Sequence, residues 1–309
     1  MTHATNIIET EGLTKRFGDR VVVSGLDLRV PRGTAFGFLG HNGAGKTTLM
    51  RMLLGLTAPS AGWMWIDGHR LPAERAVALA RVGAIVEEPH FHSHLTGREN
   101  LRIVAAVRGA EAQTRIEPAL ARVGLSERAG ERVKTYSQGM RQRLGVARCL
   151  LIDPQLLMLD EPMNGLDPAG ILEFRGMVRE LVAEGRTVFL SSHLLDEIEK
   201  TCDAAAIIDQ GRLIAQGPLE ALLASETADV EIGCRPPDRA FELLRRHPAV
   251  ASTSAIPGGV RIRLSRRDGV ASINAELVGA GIAVFRLEAV HETLEQRFLQ
   301  ITTRIGGQP

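Results

Sequence analysis

The sequence predicts an α/β chain: a mostly parallel sheet covered by helices on both faces, followed by a smaller α+β domain. Three observations predict it. Short, wholly apolar runs alternate with helical stretches as far as about residue 217, which is how strands buried on both faces read. One such run, 34–39 (TAFGFL), passes straight into a glycine-rich loop and a helical stretch at 46–56. Beyond residue 219 the order becomes strand, helix, strand, strand, helix, strand.

Near the start, 21–30 and 63–66 read as antiparallel strands, and Trp63 and Trp65 alternate around Met64 as the two faces of one strand. Runs 82–86, 156–159 (LLML), 187–190 and 205–209 are further apolar strands. The stretches 100–108, 115–123 and 138–150 form a helical block, about 90–153, inserted before LLML. Gly217-Pro218 marks a boundary, dividing the chain into domains 1–219 and 220–309. The tail has strands at 229–234, 250–255, 259–264 and 282–287 and helices at 238–246, 270–279 and 291–302. Pro257-Gly258-Gly259 supplies a hairpin turn, and the order is the split βαβ of ferredoxin-like folds.

Bulk properties narrow the function. The 309 residues suffice for two cores, and a net charge of +1 gives no electrostatic footprint for nucleic acid. Cys149, Cys202 and Cys234 are too scattered for a disulfide frame or metal site and read as free thiols. No apolar run approaches the ~18 residues of a spanning helix, and the first residues lack a signal-peptide pattern. A chain soluble by itself is expected, with any membrane role carried by a partner.

The chemistry begins at Gly40-x4-Gly45-Lys46-Thr47, which fits a phosphate-binding P-loop. Gly40, Gly43 and Gly45 let the backbone turn its N–H groups into one concavity that side chains would block, and Asn42 and Ala44 lie within the same loop. The following helix points its positive end there. Lys46 is expected at the β- and γ-phosphates of ATP, Thr47 on Mg²⁺ and Thr48 on the α-phosphate. After LLML come Asp160 and Glu161, at the strand edge that faces a nucleotide in a parallel sheet. Asp160 is expected to hold Mg²⁺ and Glu161 to act as general base toward the attacking water.

With these motifs in this order, residues 7–217 resemble the ATP-binding cassette (ABC) transporter ATPases. The signature segment of that family has its counterpart in Tyr136-Ser137-Gln138-Gly139-Met140, where Gln138 and Met140 replace the usual Gly and Gln. The resemblance implies that Ser137, Gln138 and Gly139 bind the γ-phosphate held by an opposite subunit. It likewise implies that Asn164-Gly165-Leu166-Asp167 crosses a dimer interface, that His193 contacts the γ-phosphate and helps position water, and that Phe17 stacks on adenine. The glutamine that usually ligates Mg²⁺ falls at Glu87, whose carboxylate can do the same.

The family implies a fold with a mixed sheet core, an antiparallel β subdomain and a helical subdomain. It also implies an ATPase dimer, homodimeric or with a second ABC subunit, that drives a separate integral-membrane permease from the cytoplasmic face. The segment Leu95-Thr96-Gly97-Arg98-Glu99-Asn100 and the tail resemble exporters of antibiotics and drugs. An importer ATPase, and a soluble ABC ATPase acting in translation or DNA repair, are the alternatives.

Overall fold

A computed structural model describes residues 5–223, 228–265, 269–290 and 294. The chain divides into two compact units, one of residues up to 222 and one of 223–300; helix Leu219–Leu223 straddles the division.

The first unit opens with β1 (Asn6–Phe17), β2 (Arg20–Leu26), β3 (Arg29–Pro31), β4 (Ala35–Leu39), α1 (Lys46–Leu53), β5 (Ala61–Ile66), β6 (His69–Leu71), α2 (Arg75–Ala78) and β7 (Val82–Ile85). The helical block follows: α3 (Gly97–Arg108), α4 (Ala110–Thr114), α5 (Ile116–Arg122) and α6 (Gln138–Leu150). Then come β8 (Leu156–Asp160), α7 (Pro168–Ala183), β9 (Thr187–Ser192), α8 (Leu195–Thr201), β10 (Ala204–Asp209), β11 (Arg212–Pro218) and α9 (Leu219–Leu223).

Six strands form the central sheet in the order β11-β10-β4-β9-β8-β7. All its pairs are parallel except the edge strand β11, which lies antiparallel on β10. Every residue of β4, β8 and β9 is buried, as expected of strands covered on both faces. Phe189 sits between Phe36 and Phe38, at ring-centroid distances of 6.0 and 5.7 Å. A second, antiparallel sheet pairs β2, β1, β5 and β6 in that order, with β3 also on β1. The expected strand at 21–30 is two strands: β2 ends at Leu26, one residue past Gly25 at φ +58°, and β3 begins at Arg29. In β5, Met64 and Ile66 point into the core while Trp63 is half exposed, with the Arg70 guanidinium 3.7 Å from its ring centroid.

Helix starts follow local chemistry. Thr96 and Glu99 form a reciprocal capping box on α3, Ser137 caps α6, and Asp167 caps α7 with Pro168 at its first position. No helix among the described residues is long and apolar enough to cross a membrane.

The second unit contains β12 (Ala228–Arg235), α10 (Pro237–Arg245), β13 (Val250–Ile256), β14 (Gly259–Leu264), α11 (Val270–Gly279) and β15 (Ala283–Val290). Its sheet order is β13-β14-β12-β15, antiparallel throughout, which is the split βαβ topology. Ile232, Val260, Ile262 and Leu264 of the sheet pack with Ala240 and Leu244 of α10 and Ile273 and Leu277 of α11 in a core of their own. The helix expected at 291–302 lies outside the described residues, Leu294 excepted.

Candidate functional site

The loop after β4 is shaped by close approach. A Cβ on Gly40 would stand 2.5 Å from the Ile208 carbonyl oxygen, and one on Gly45 2.8 Å from that of Val22. Gly45 adopts φ +109° and caps α1. Ala44 is anchored on both sides, its N–H donating to His41 O (3.1 Å) and its carbonyl accepting from Gly211 N (3.1 Å). Among the described residues nothing accepts a hydrogen bond from the N–H groups of Gly43, Gly45, Lys46, Thr47 or Thr48. These are the orphan donors of a helix start, gathered at its positive end, and they fit an anion. Asn42 is exposed beside them. Lys46 is 5 % exposed. Its ammonium donates to Gly40 O at 2.6 Å and stands 3.1 Å from Glu161 Oε1.

The parallel register Asp160↔Ser191 brings the ends of β8 and β9 beside this loop. Thr47 Oγ1 donates to Asp160 Oδ2 at 2.7 Å, while Ser191 Oγ donates to Asp160 Oδ1. Glu161, at φ +48°, directs its N–H to Ser191 Oγ (3.0 Å) and Ser191 O (3.2 Å). Its Oε2 meets His193 Nδ1 at 2.9 Å. Its Oε1 is buried without a hydrogen bond; the Lys46 contact has ion-pair distance but not hydrogen-bond geometry. The hydroxyl of Thr47 and the carboxylate of Asp160 are hard oxygen donors on one spot and fit Mg²⁺, which keeps waters and phosphate oxygens for its remaining positions. Among the described residues no group of three or more His, Cys, Asp or Glu could hold a metal by itself.

The other expected site residues make contacts of their own. Ser137 accepts the Met140 N–H at 3.2 Å, and Gln138 Nε2 donates to Asn164 O at 3.2 Å. Ser137, Gln138 and Gly139 thus share a cleft of about 400 Å³ with Gly165, Leu166 and Asp167. Phe17 is half exposed beneath the Lys15 ammonium. Glu87, at φ +65°, is expected with Thr47 and Asp160; the structure instead pairs its exposed carboxylate with Arg51, on α1. It lies two residues past the end of β7. Arg51 and Ser191 are not among the residues expected from sequence: Ser191 stands two residues before His193, but its contacts with Asp160 and Glu161 depend on strand register.

The ABC transporter family model matches residues 23–164, a span holding the loop, Asp160 and Glu161. YhcH of Bacillus subtilis strain 168, an uncharacterized ABC transporter ATP-binding protein, is 39% identical over 297 residues, 96% of each chain. The chain belongs to the ABC transporter ATP-binding proteins. This ABC protein is also 38% identical to the bacitracin transport ATP-binding protein BcrA of Enterococcus faecalis, over 97% of each chain. A solved ATP-binding subunit of an ABC transporter superposes with a TM-score of 0.63 at 32% identity, covering 70% of this chain and 91% of that one. As a member of the family, this ABC protein binds ATP and is an ATPase coupled to transport. Subunits of this kind dimerise and work with membrane permeases.

Proposed function

We propose that this ABC ATPase powers export of a drug, antibiotic or other small amphipathic substrate through a separate permease chain, from the inner face of the cell membrane. Likeness to a bacitracin transport protein over 97% of both chains, tail included, supports that substrate class. The hydrolytic assignment is carried by one observation: Glu161 has one carboxylate oxygen 3.1 Å from Lys46 Nζ and the other 2.9 Å from His193 Nδ1.

In this reading the free N–H groups of the 40–48 loop and Lys46 bind the β- and γ-phosphates, Thr48 the α-phosphate, and Phe17 stacks on adenine. Lys46 then exchanges the Gly40 carbonyl for phosphate oxygens. Thr47 and Asp160 hold Mg²⁺, which supplies positive charge against the phosphate oxygens. Glu161 takes a proton from water, and His193 holds its carboxylate in place. Glu87, whose exposed carboxylate pairs with Arg51, would offer a further oxygen to the metal. The Ser137 cleft completes the site of a second ATPase domain, so ATP is shared across the dimer. ATP favours the closed dimer because both halves contact its γ-phosphate; hydrolysis removes those contacts, and the difference moves the permease.

The test compares the parent and Glu161→Gln. The variant is expected to bind ATP as the parent does and to release phosphate roughly 10²–10⁴-fold more slowly. Undiminished release rules out the base assignment. In cells carrying the permease, the same variant should abolish ATP-driven efflux of a cyclic peptide antibiotic; unchanged efflux rules out the export reading.

A further inference from the structure

We infer that Ser191 is a positioning residue whose single hydroxyl sets both acidic groups of the ATPase site. The inference rests on the assignment of Asp160 to Mg²⁺ and Glu161 to water. Ser191 is fully buried near the end of the central strand β9, where a hydroxyl is kept only if its bonds are made. It makes both. As donor it binds Asp160 Oδ1; as acceptor it takes the Glu161 N–H at 3.0 Å.

Each bond has a consequence for the reaction. An Asp carboxylate on a strand end can rotate about its terminal torsion, which has no sharp staggered wells. The Ser191 bond holds Oδ1 on the β9 side and leaves Oδ2 toward Thr47, 2.7 Å away. The two metal-side oxygens are therefore presented together before any ion arrives. The second bond acts on the backbone. Glu161 sits at φ +48°, a left-handed conformation that a glutamate adopts only when its surroundings impose it. Its N–H is shared between Ser191 Oγ and Ser191 O, at 3.0 and 3.2 Å. That shared anchor turns the Glu161 side chain back over the sheet edge, where Lys46 and His193 meet it. A hydroxyl that donates to one acid and accepts from the peptide of the next ties metal binding to base placement.

The experiment uses the full chain and compares Ser191→Ala and Ser191→Thr with the parent. Binding of a fluorescent ATP analogue is titrated in EDTA and then against Mg²⁺. Turnover and thermal midpoint are measured alongside. Ser191→Ala is expected to bind nucleotide in EDTA within about twofold of the parent, because the 40–48 loop is untouched. The Mg²⁺ concentration for half-maximal binding should rise, and kcat fall, roughly ten- to a hundredfold, the value of a hydrogen bond to a charged group. Ser191→Thr, which keeps the hydroxyl, should recover most of the Mg²⁺ response. Should added methyl volume unfold that variant, Ser191→Cys, similar in size but a weak donor, must behave as Ser191→Ala does.

An unchanged Mg²⁺ response in Ser191→Ala overturns the inference. So does equal loss of binding with and without Mg²⁺, which marks a merely structural residue. If the parent itself shows no Mg²⁺ dependence, the assignment of Asp160 fails and this inference falls with it. A Mg²⁺-dependent parent with an indifferent Ser191→Ala sinks the inference alone.

Discussion

Oε2 of Glu161 stands 2.9 Å from Nδ1 of His193, across 32 residues of chain. The two meet because they follow adjacent parallel strands, β8 and β9, at the same sheet edge. With an ionised carboxylate as its partner, Nδ1 carries the proton and donates, which leaves Nε2 outside this bond.

Loss of that bond frees the Glu161 carboxylate to rotate. His193→Ala is expected to bind ATP normally and hydrolyse it roughly ten- to a hundredfold more slowly, the kinetic equivalent of one charge-assisted hydrogen bond. Single-turnover phosphate release measures the step directly. Parent-like release would mean that the contact has no part in hydrolysis.

Gly45 and Gly43 separate two costs of a left-handed loop. Gly43 has φ +84° with open space around its missing Cβ, whereas Gly45 has φ +109° and the Val22 carbonyl oxygen 2.8 Å from that position. Gly43→Ala should cost only the backbone strain it introduces, about 1–3 kcal/mol. Gly45→Ala adds a clash with backbone, which cannot rotate away, and should melt at a lower temperature and bind ATP more weakly. Equal melting temperatures of the two variants would discard the Val22 contact as the reason for glycine.

Arg175 of α7 and Glu197 of α8 form an ion pair with each side chain only 16 % exposed, the Arg175 Nε donating to Glu197 Oε2 at 3.0 Å. Removing one member leaves a charge poorly solvated. Arg175→Met alone is expected to destabilise by about 3–5 kcal/mol, and Arg175→Met with Glu197→Leu to recover most of the loss. Urea unfolding of both variants decides it; a double variant as unstable as the single one contradicts the account.

The three cysteines should be inert in the native chain. All are buried and free; burial pushes the Cys149 thiol up to about 11 and raises those of Cys202 and Cys234. A raised value means the neutral thiol persists through pH 7.5, and the reactive thiolate appears only as pH climbs toward it. Iodoacetamide at pH 7.5 should leave all three unmodified by mass spectrometry and label all three in denaturant. Rapid native labelling would show that they are accessible.

Much of the fold was legible because its signals are local. The runs at 156–159 and 187–190 are apolar on both faces, and the structure extends them by one and two residues, into Asp160 and Ser192. The helix at 138–150 has the bounds expected, since Ser137 caps its start. The tail's strand order was readable from its alternation and its Pro-Gly-Gly turn. What escaped were α7 and α8, despite the Asp167-Pro168 start signal, and the break between β2 and β3. The partner of Glu87 also escaped, because nothing near it in sequence points to Arg51, 36 residues away.

By itself the sequence determined the phosphate loop, the two acids after an apolar strand, and the strand and helix order of the tail. Each follows from a few neighbouring residues: glycines that permit one backbone path, periodicity that selects one face, a cap that begins one helix. Only the tertiary structure decided which oxygen of Asp160 faces Thr47, that Ser191 joins Asp160 to Glu161, and that Arg51 holds Glu87. Those relationships depend on which strands are neighbours and in what register, and the free energy that selects a register is spread over the whole buried sheet rather than written in any one segment.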